Sequence, residues 1–247
     1  MDHTNNSCCC GEAEYFSGCL ICGAPITYRA ESSIQTCSIC HKEQLTNAVC
    51  ENGHFICDAC HSYGTYAPVI TTLRDSTEKD ALLLLEKIMD LPSVHMHGPE
   101  HHVMVGAALL TAYKNAGGAI NLRESVMEML NRGKAVPGGT CGFWGACGAG
   151  ISAGMFVSIL SGATPLTEES WGLSNQMTSK ALEAISRTGG PRCCKRDSYL
   201  AILAAVDFVK THFGIEMECT EVQCTHYAQN NQCIGKRCPF WRFDDSI

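Results

Sequence analysis

The sequence predicts a mostly α-helical protein, in which a compact helical domain lies between a small N-terminal module and a cysteine-rich C-terminal tail. Eighteen cysteines in 247 residues are concentrated at the two ends of the chain and in two short central motifs. From Ser76 onward, apolar residues recur at helical spacing, and capping residues and glycines mark helix ends. The sequence contains neither an internal repeat nor coiled-coil heptads.

These observations divide the chain into four parts. In order, we expect a flexible tail (1–18, with Cys8, Cys9 and Cys10), a small module (19–64), a helical domain with a central cysteine motif (65–214) and a cysteine-rich tail (215–247). A length of 247 residues is sufficient for one large core with a small satellite module.

Composition excludes some classes of function. Hydrophobic residues make up 45% of the chain and charged residues 17%, which is typical of a globular protein. The net charge of −7 argues against a dedicated nucleic-acid binder and favours a small-molecule substrate or a protein partner. No signal peptide is recognisable, and the longest apolar stretch, near residues 148–160, is too short to span a membrane. We therefore expect a soluble, cytoplasmic protein.

Helix boundaries can be assigned along the body of the chain. The segment 64–73 is predicted as a connector with partial strand character. The predicted helices begin at Ser76, Pro99, Asn121, Cys147, Thr167 and Asp197. Proline or glycine ends most of them, at Pro92, Gly117, Gly133 and Gly189. Small residues dominate the helix after Cys147, so we expect it to lie at the centre of the core.

The N-terminal module contains four closely spaced pairs of metal-ligand residues. They are Cys19-x2-Cys22, Cys37-x2-Cys40, Cys50-x3-His54 and Cys57-x2-Cys60. Without an export signal, such pairs indicate zinc ligation rather than disulfides. Interleaved pairs, as in RING-type modules, would join Cys19 and Cys22 to Cys50 and His54, and the other two pairs to each other. The alternative is a single zinc ribbon on Cys19, Cys22, Cys37 and Cys40, and His61 could replace His54 or Cys60.

Two glycine-rich motifs carry the central cysteines. Cys141 and Cys147 lie in one motif, and the adjacent Cys193 and Cys194 lie in the other, each at a helix start. Helix N-termini and the cations Arg192, Lys195 and Arg196 are expected to lower thiol pKa values. Three interpretations remain open: inert buried cysteines, an iron–sulfur cluster held by three of the four thiols, or a redox-active dithiol pair.

A histidine-rich segment precedes the second predicted helix. It contains His95, His97, Glu100, His101 and His102. One or more of these side chains could bind a metal ion or act as a general base. We select His97, His101 and His102 as catalytic candidates, with Arg192 and Lys195 as candidates for holding an anionic group.

The C-terminal tail contains a further possible ligand set. Cys219, Cys224, Cys233 and Cys238 are spaced by four, eight and four residues, and a proline follows the last. This spacing fits either a four-thiolate zinc site or an iron–sulfur cluster, and His226 could replace one ligand.

Several of these motifs support a family resemblance. The segments Cys50–His61, His97–His102, Pro137–Gly150, Gly190–Asp197 and Cys238–Phe240 resemble an uncharacterised cysteine-rich family of methanogenic archaea and anaerobic bacteria, known as a domain of unknown function. This resemblance implies an anaerobic setting but no established activity. Residues 146–155 and the His-x-Gly-Pro element are locally similar to iron–sulfur serine dehydratases and cysteine desulfidases, lyases whose open cluster iron binds substrate.

The sequence therefore favours an iron–sulfur enzyme acting on a small anionic substrate by desulfuration or dehydration. In this hypothesis the cluster is bound by Cys141, Cys147 and either Cys193 or Cys194. A non-catalytic zinc protein with an accessory, scaffold or metal-delivery role is the first alternative. A dithiol redox protein is the second.

Overall fold

The computed structural model describes residues 18–241, so the predicted N-terminal tail with Cys8, Cys9 and Cys10 lies outside the described residues. About half of the described residues are helical, which agrees with the predicted mostly α fold. The helices within this range are α1 (Asp58–His61), α2 (Tyr66–Arg74), α3 (Ala81–Met89), α4 (His101–Asn115), α5 (Leu122–Lys134), α6 (Thr140–Phe143), α7 (Gly148–Ser161), α8 (Glu169–Thr188) and α9 (Cys194–Phe213). None of them is both long and apolar enough to cross a bilayer.

A β-hairpin forms most of the N-terminal module. Strand β1 (Ile26–Thr36) pairs antiparallel with β2 (Glu43–Cys50), and the register shifts between Tyr28 and Ser33. These strands were not predicted. Apolar residues do alternate along β1, at Ile26, Tyr28, Ala30 and Ile34, but the closely spaced cysteine pairs dominate the sequence of the module, and the alternation was not recognised as a strand.

Helices α4 and α7 form the centre of the helical domain. Every residue of α4 from His101 to Tyr113 is buried, because α2, α3, α5, α7 and α9 all pack around it. Gly106 has no side chain, which allows α7 to approach closely enough for the Ser152 hydroxyl to accept a hydrogen bond from the Gly106 N–H at 2.9 Å. The predicted central position of the small-residue helix is thus confirmed.

Several helix boundaries differ from the prediction. Residues 66–74 are helical rather than strand-like, because Val69 and Leu73 are spaced four residues apart and both are buried in the core. Helix α3 begins at Ala81 instead of near Ser76, because the Asp80 carboxylate caps it by accepting the N–H groups of Leu82 and Leu83. The predicted cap at Asn121 is confirmed, since its side-chain oxygen accepts the N–H of Glu124.

The C-terminal segment packs back onto the helical domain. After α9 it contains two short 3₁₀ turns, Tyr227–Gln229 and Gly235–Arg237. The second carboxylate oxygen of Asp80 accepts the Thr220 N–H at 2.6 Å, and Phe240 packs edge-on against the buried Tyr199. Asp80 therefore caps α3 and anchors the chain that follows α9.

Asp80→Ala should lower the free energy of unfolding by about 1–3 kcal/mol, because two capping bonds and the bond to Thr220 are lost from a buried position. Denaturant unfolding measures this change. The matched control is Asp75→Ala, which removes an exposed ion pair with Arg74 and should leave stability unchanged. Equal stability of the two variants would contradict the assigned role of Asp80.

Candidate functional site

The eight predicted metal ligands of the module form two groups. Cys19, Cys22, Cys50 and His54 make the first, and Cys37, Cys40, Cys57 and Cys60 make the second; within each, all ligand atoms lie within 4.8 Å of one another. The pairs therefore interleave as predicted by analogy with RING-type modules, and the alternative grouping of a single zinc ribbon is not observed. The Sγ–Sγ distances of 3.5 Å for Cys22–Cys50 and 3.7 Å for Cys40–Cys57 approach the ~3.8 Å edge of a tetrahedron of thiolates around zinc. Both groups could hold a metal ion.

The module has almost no apolar core that could replace such ions. Its buried cluster consists of Cys37, Phe55 and Cys57, two of which are themselves ligand candidates. Within the second group, burial would raise the pKa of Cys37, but backbone N–H donors at Cys40 and Cys57 lower it to about 6, whereas burial and neighbouring thiols raise the pKa of Cys60 to about 12. Such a mixed set ionises fully only when a cation displaces the remaining protons, so metal binding there would be coupled to folding of the module.

A cavity of about 500 Å³ lies between the module and the helical domain. The hairpin and the start of α1 line one side, and the residues that precede or begin α4, α7 and α9 line the other. Asp58 of α1 connects the two sides, because its carboxylate accepts the N–H of Gly138 at 2.8 Å. The cavity thus depends on both parts of the chain.

Three of the four predicted central cysteines line this cavity: Cys141, Cys147 and Cys194. Cys193 does not, because it is the N-cap of α9, where its sulfur accepts the Arg196 N–H, and its side chain faces a second cavity. Consecutive residues at a helix start project in different directions, which explains why the adjacent cysteines separate.

Cys147 and Cys194 do not have the lowered pKa values predicted from their helix starts. Burial, reinforced by the Asp197 carboxylate, raises the pKa of Cys147 to about 12, and burial likewise raises that of Cys194. The carboxylate oxygen of Asp197 lies 3.8 Å from the Cys147 sulfur. Burial thus outweighs the helix N-terminus, and these thiols remain protonated until a cation displaces the proton.

Only one of the predicted cations reaches the large cavity. Arg192 lines it and stacks over the Tyr28 ring at 5.0 Å. Arg196 is buried and pairs with Asp197 at 2.9 Å. Lys195 is only 1% exposed, and its Nζ lies 3.5 Å from the Met89 carbonyl instead of facing the cavity. Arg192 is therefore the guanidinium available to an anionic molecule there.

The three candidate histidines all line the large cavity. Backbone contacts fix the orientations of two of them, His101 and His102. His102 Nδ1 donates to the Val136 carbonyl at 3.0 Å, and His101 Nδ1 donates to the Gly98 carbonyl at 3.0 Å. Since a carbonyl only accepts, Nε2 of each neutral ring carries the lone pair. The His102 ring lies against Gly148, where any β-carbon would overlap it.

His97 connects the large cavity with the second one. Its Nε2 lies 3.2 Å from the Asn230 side-chain oxygen, and the Asn230 amide donates to the Cys193 sulfur at 3.6 Å. Burial, together with the charge of Arg192, lowers the pKa of His97 to about 4, so the ring is neutral at neutral pH. Because an amide oxygen only accepts hydrogen bonds, His97 Nε2 donates this bond to Asn230, which fixes the orientation of the amide.

The second cavity, of about 20 Å³, is lined by Cys193, Cys224, Cys233 and Cys238. Cys219, which the sequence analysis grouped with the last three, is exposed and does not line it. The predicted substitute ligand His226 does line it. No three of the four cysteine sulfurs lie within 4.8 Å of one another, unlike the sulfurs of the N-terminal groups.

One further group of ligand atoms was not predicted. His61, His95 and Glu100 have their side-chain ligand atoms within 4.8 Å of one another. His61 was predicted only as a substitute for His54 or Cys60. His95 and Glu100 were predicted only as members of the histidine-rich segment, in which one or more side chains could bind a metal ion or act as a base. Their convergence requires α1 of the module to pack on the segment before α4, which spacing along the chain does not reveal.

Cys37→Ser should remove one equivalent of metal and make the module susceptible to proteolysis, because a buried thiolate is lost from the second group. Elemental analysis and limited proteolysis measure these effects. Cys219→Ser is the control, since this exposed thiol lies in none of the ligand groups. Unchanged metal content in Cys37→Ser would contradict the grouping.

Comparison with known proteins identifies the family. No curated protein and no solved structure shows significant similarity to the chain. A family model described as a family of unknown function matches residues 69–241, which include the helical domain and the C-terminal segment but neither N-terminal ligand group. Since this match covers more than half of the sequence, the chain belongs to DUF5714, a family of unknown function.

Proposed function

We propose that this protein is an iron–sulfur enzyme that acts on a small anionic molecule in the large cavity. The observation that carries the proposal is that three of the four central thiols, the three candidate histidines and Arg192 line one cavity of about 500 Å³. That volume lies within the ~300–1,000 Å³ typical of small-molecule sites. The N-terminal groups, with four ligands each, are proposed to bind zinc in a structural role.

The donor set of the large cavity fits a cluster better than a single ion. Cys141, Cys147 and Cys194 all line this cavity, but their three sulfurs do not lie within 4.8 Å of one another, as the ligands of a single ion would. A four-iron cluster held by three thiolates would supply one iron without a protein thiolate, which acts as a Lewis acid toward a substrate oxygen or sulfur. The raised pKa values of Cys147 and Cys194 argue against a dithiol redox protein, whose attacking sulfur must be a thiolate.

The polar side chains of the cavity suggest roles in substrate binding and proton transfer. Arg192 is positioned to bind a carboxylate through paired N–H donors. His102 is the proposed base, because its Nδ1 proton is held by the Val136 carbonyl and Nε2 can accept a proton. The bond to Val136 also keeps the ring from rotating, so the same nitrogen would remain directed at the substrate.

The proposed reaction is elimination of water or hydrogen sulfide from a small carboxylate, that is, dehydration or desulfuration. The carbon next to the carboxylate gives a proton to His102, and its bonding electron pair forms a carbon–carbon double bond. Hydroxide or hydrosulfide leaves the neighbouring carbon and becomes water or hydrogen sulfide with that proton. The reaction consumes neither an oxidant nor a reductant.

We also propose an iron–sulfur cluster in the second cavity, bound by Cys193, Cys224, Cys233 and Cys238. Four thiolates around zinc would have sulfurs only ~3.8 Å apart. These four sulfurs do not form such a tight group, which supports a multi-iron cluster over a single zinc ion. In this proposal the fourth ligand is Cys193, and not Cys219 as predicted from the sequence.

Anaerobically purified protein should contain iron and inorganic sulfide and show the broad visible absorption of thiolate-bound iron. Cys147→Ser should remove about half of the iron, since it affects one of two proposed clusters, and Cys238→Ser should remove the other half. Cys219→Ser is the control and should retain all of it. Wild-type protein without iron or visible absorption would eliminate both cluster assignments.

Turnover of small hydroxy- and mercapto-carboxylates tests the catalytic roles. Arg192→Ala should raise KM roughly 10–100-fold because a charge-assisted contact to the carboxylate is lost. His102→Ala should lower kcat by about 10²–10⁴-fold because the base is removed. Arg187→Ala, which removes an exposed arginine paired with Glu183, is the control. If Arg192→Ala and Arg187→Ala behave alike, Arg192 does not bind the substrate.

A further inference from the structure

The group formed by His61, His95 and Glu100 lies where the module meets the helical domain. His61 is the last residue of α1, His95 precedes α4, and Glu100 is the N-cap of α4. His61 Nδ1 lies 3.5 Å from one carboxylate oxygen of Glu100, and His95 Nδ1 lies 3.6 Å from the other. The centroids of the two imidazole rings are 4.4 Å apart, and their planes are inclined at 60°.

Hydrogen bonds do not account for this arrangement. Both Nδ1 atoms and the Glu100 oxygen near His61 are buried and have no hydrogen-bond partner, although Glu100 is wholly inaccessible to solvent. Unpaired polar atoms in such a position cost free energy and are rare in folded proteins. The other oxygen of Glu100 accepts a single hydrogen bond, from the backbone N–H of His95 at 3.2 Å.

The separations between these atoms fit metal coordination. Nitrogen and oxygen ligands at 2.0–2.2 Å from a tetrahedral ion are roughly 3.4 Å apart, slightly too far for a good hydrogen bond. The observed 3.5 and 3.6 Å are close to that value.

Two other groups lie near the Glu100 carboxylate. The buried cation Lys195 interacts with it electrostatically, but the Lys195 Nζ lies near the Met89 carbonyl. The third imidazole beside the carboxylate, that of His101, already donates Nδ1 to the Gly98 carbonyl and is therefore not a free partner. His61 Nδ1, His95 Nδ1 and the Glu100 carboxylate thus form a three-ligand set.

Backbone geometry at Gly98 is shaped around the Glu100 carboxylate. A β-carbon at Gly98 would overlap all three terminal atoms of that carboxylate. The Gly-Pro-Glu segment therefore requires glycine for steric reasons, independently of any special φ angle. Gly98 thus leaves space for a buried carboxylate, and one oxygen of that carboxylate has no hydrogen-bond partner. Both observations fit a carboxylate that binds a cation.

We propose that His61, His95 and Glu100 bind one divalent transition-metal ion, separate from the thiolate sites. Two imidazoles and one carboxylate suit zinc, iron, manganese or cobalt rather than magnesium or calcium, which prefer oxygen ligands. Three protein ligands leave at least one position for water or another small ligand. Because His61 belongs to the module and also lines the large cavity, the ion joins the two parts of the chain beside that cavity.

Cobalt(II) binding tests this site in the full chain. Wild-type protein treated with a mild chelator, which should spare the four-ligand thiolate sites, is expected to bind one equivalent of cobalt without thiolate-to-cobalt charge transfer. His95→Ala should lose this equivalent, and Glu100→Gln should weaken binding at least tenfold. His212→Ala, at an exposed histidine in the last turn of α9, is the matched control and should bind like wild type.

Gly98→Ala provides an independent variant, because it displaces the carboxylate without removing a ligand and should also lose the cobalt equivalent. Circular dichroism establishes whether each variant is folded. If Glu100→Gln fails to fold, the wild-type titration and His95→Ala, whose side chain is 27% exposed, decide the matter. Wild-type protein that binds no such cobalt, or folded His95→Ala that binds it fully, would overturn the proposal and leave the iron–sulfur assignments unaffected.

Discussion

The close contact between α4 and α7 is the constraint on which the rest of the structure depends. At Gly106 the backbone of α4 touches Ser152 of α7, and at Gly148 the start of α7 touches the His102 ring of α4. Larger residues at these glycines would force the helices apart. Because the helices begin side by side, the histidine segment before α4 and the cysteine loop before α7 meet in one place. The start of α9 packs beside both and supplies the third thiol.

Polar contacts at the start of α9 join the two cysteine-lined cavities. Asp197 receives Arg196 on one oxygen and lies near the Cys147 sulfur with the other, so a buried ion pair supports the large cavity. On the opposite side, Asn230 lies between His97 and the Cys193 sulfur. The polar groups of the two cavities are therefore connected by short, buried contacts, where electrostatic interactions are weakly screened.

Local patterns in the sequence were sufficient for features that depend on near neighbours. Ligand pairs in the module and the Asn121 cap fall in this class, because spacing of a few residues determines them. Features that depend on distant contacts were not predictable. Asp80 caps α3 while binding a backbone group 140 residues away, and the separation of Cys193 from Cys194 depends on how the C-terminal segment packs. The hairpin was missed because the closely spaced cysteine pairs of the module obscured the apolar alternation of β1.

The scarcity of buried apolar residues in the module has a consequence for the large cavity. The helical domain has an extensive core of its own, whereas the module buries only Cys37, Phe55 and Cys57 as a cluster. Asp58, which bonds to the glycine-rich loop at Gly138, follows directly after Cys57. If the two N-terminal ligand groups bind metal as proposed, a chain deprived of that metal would keep a folded body but release one side of its cavity to solvent. Under the proposed function, metal supply would then decide how much of the protein is competent to retain a small molecule.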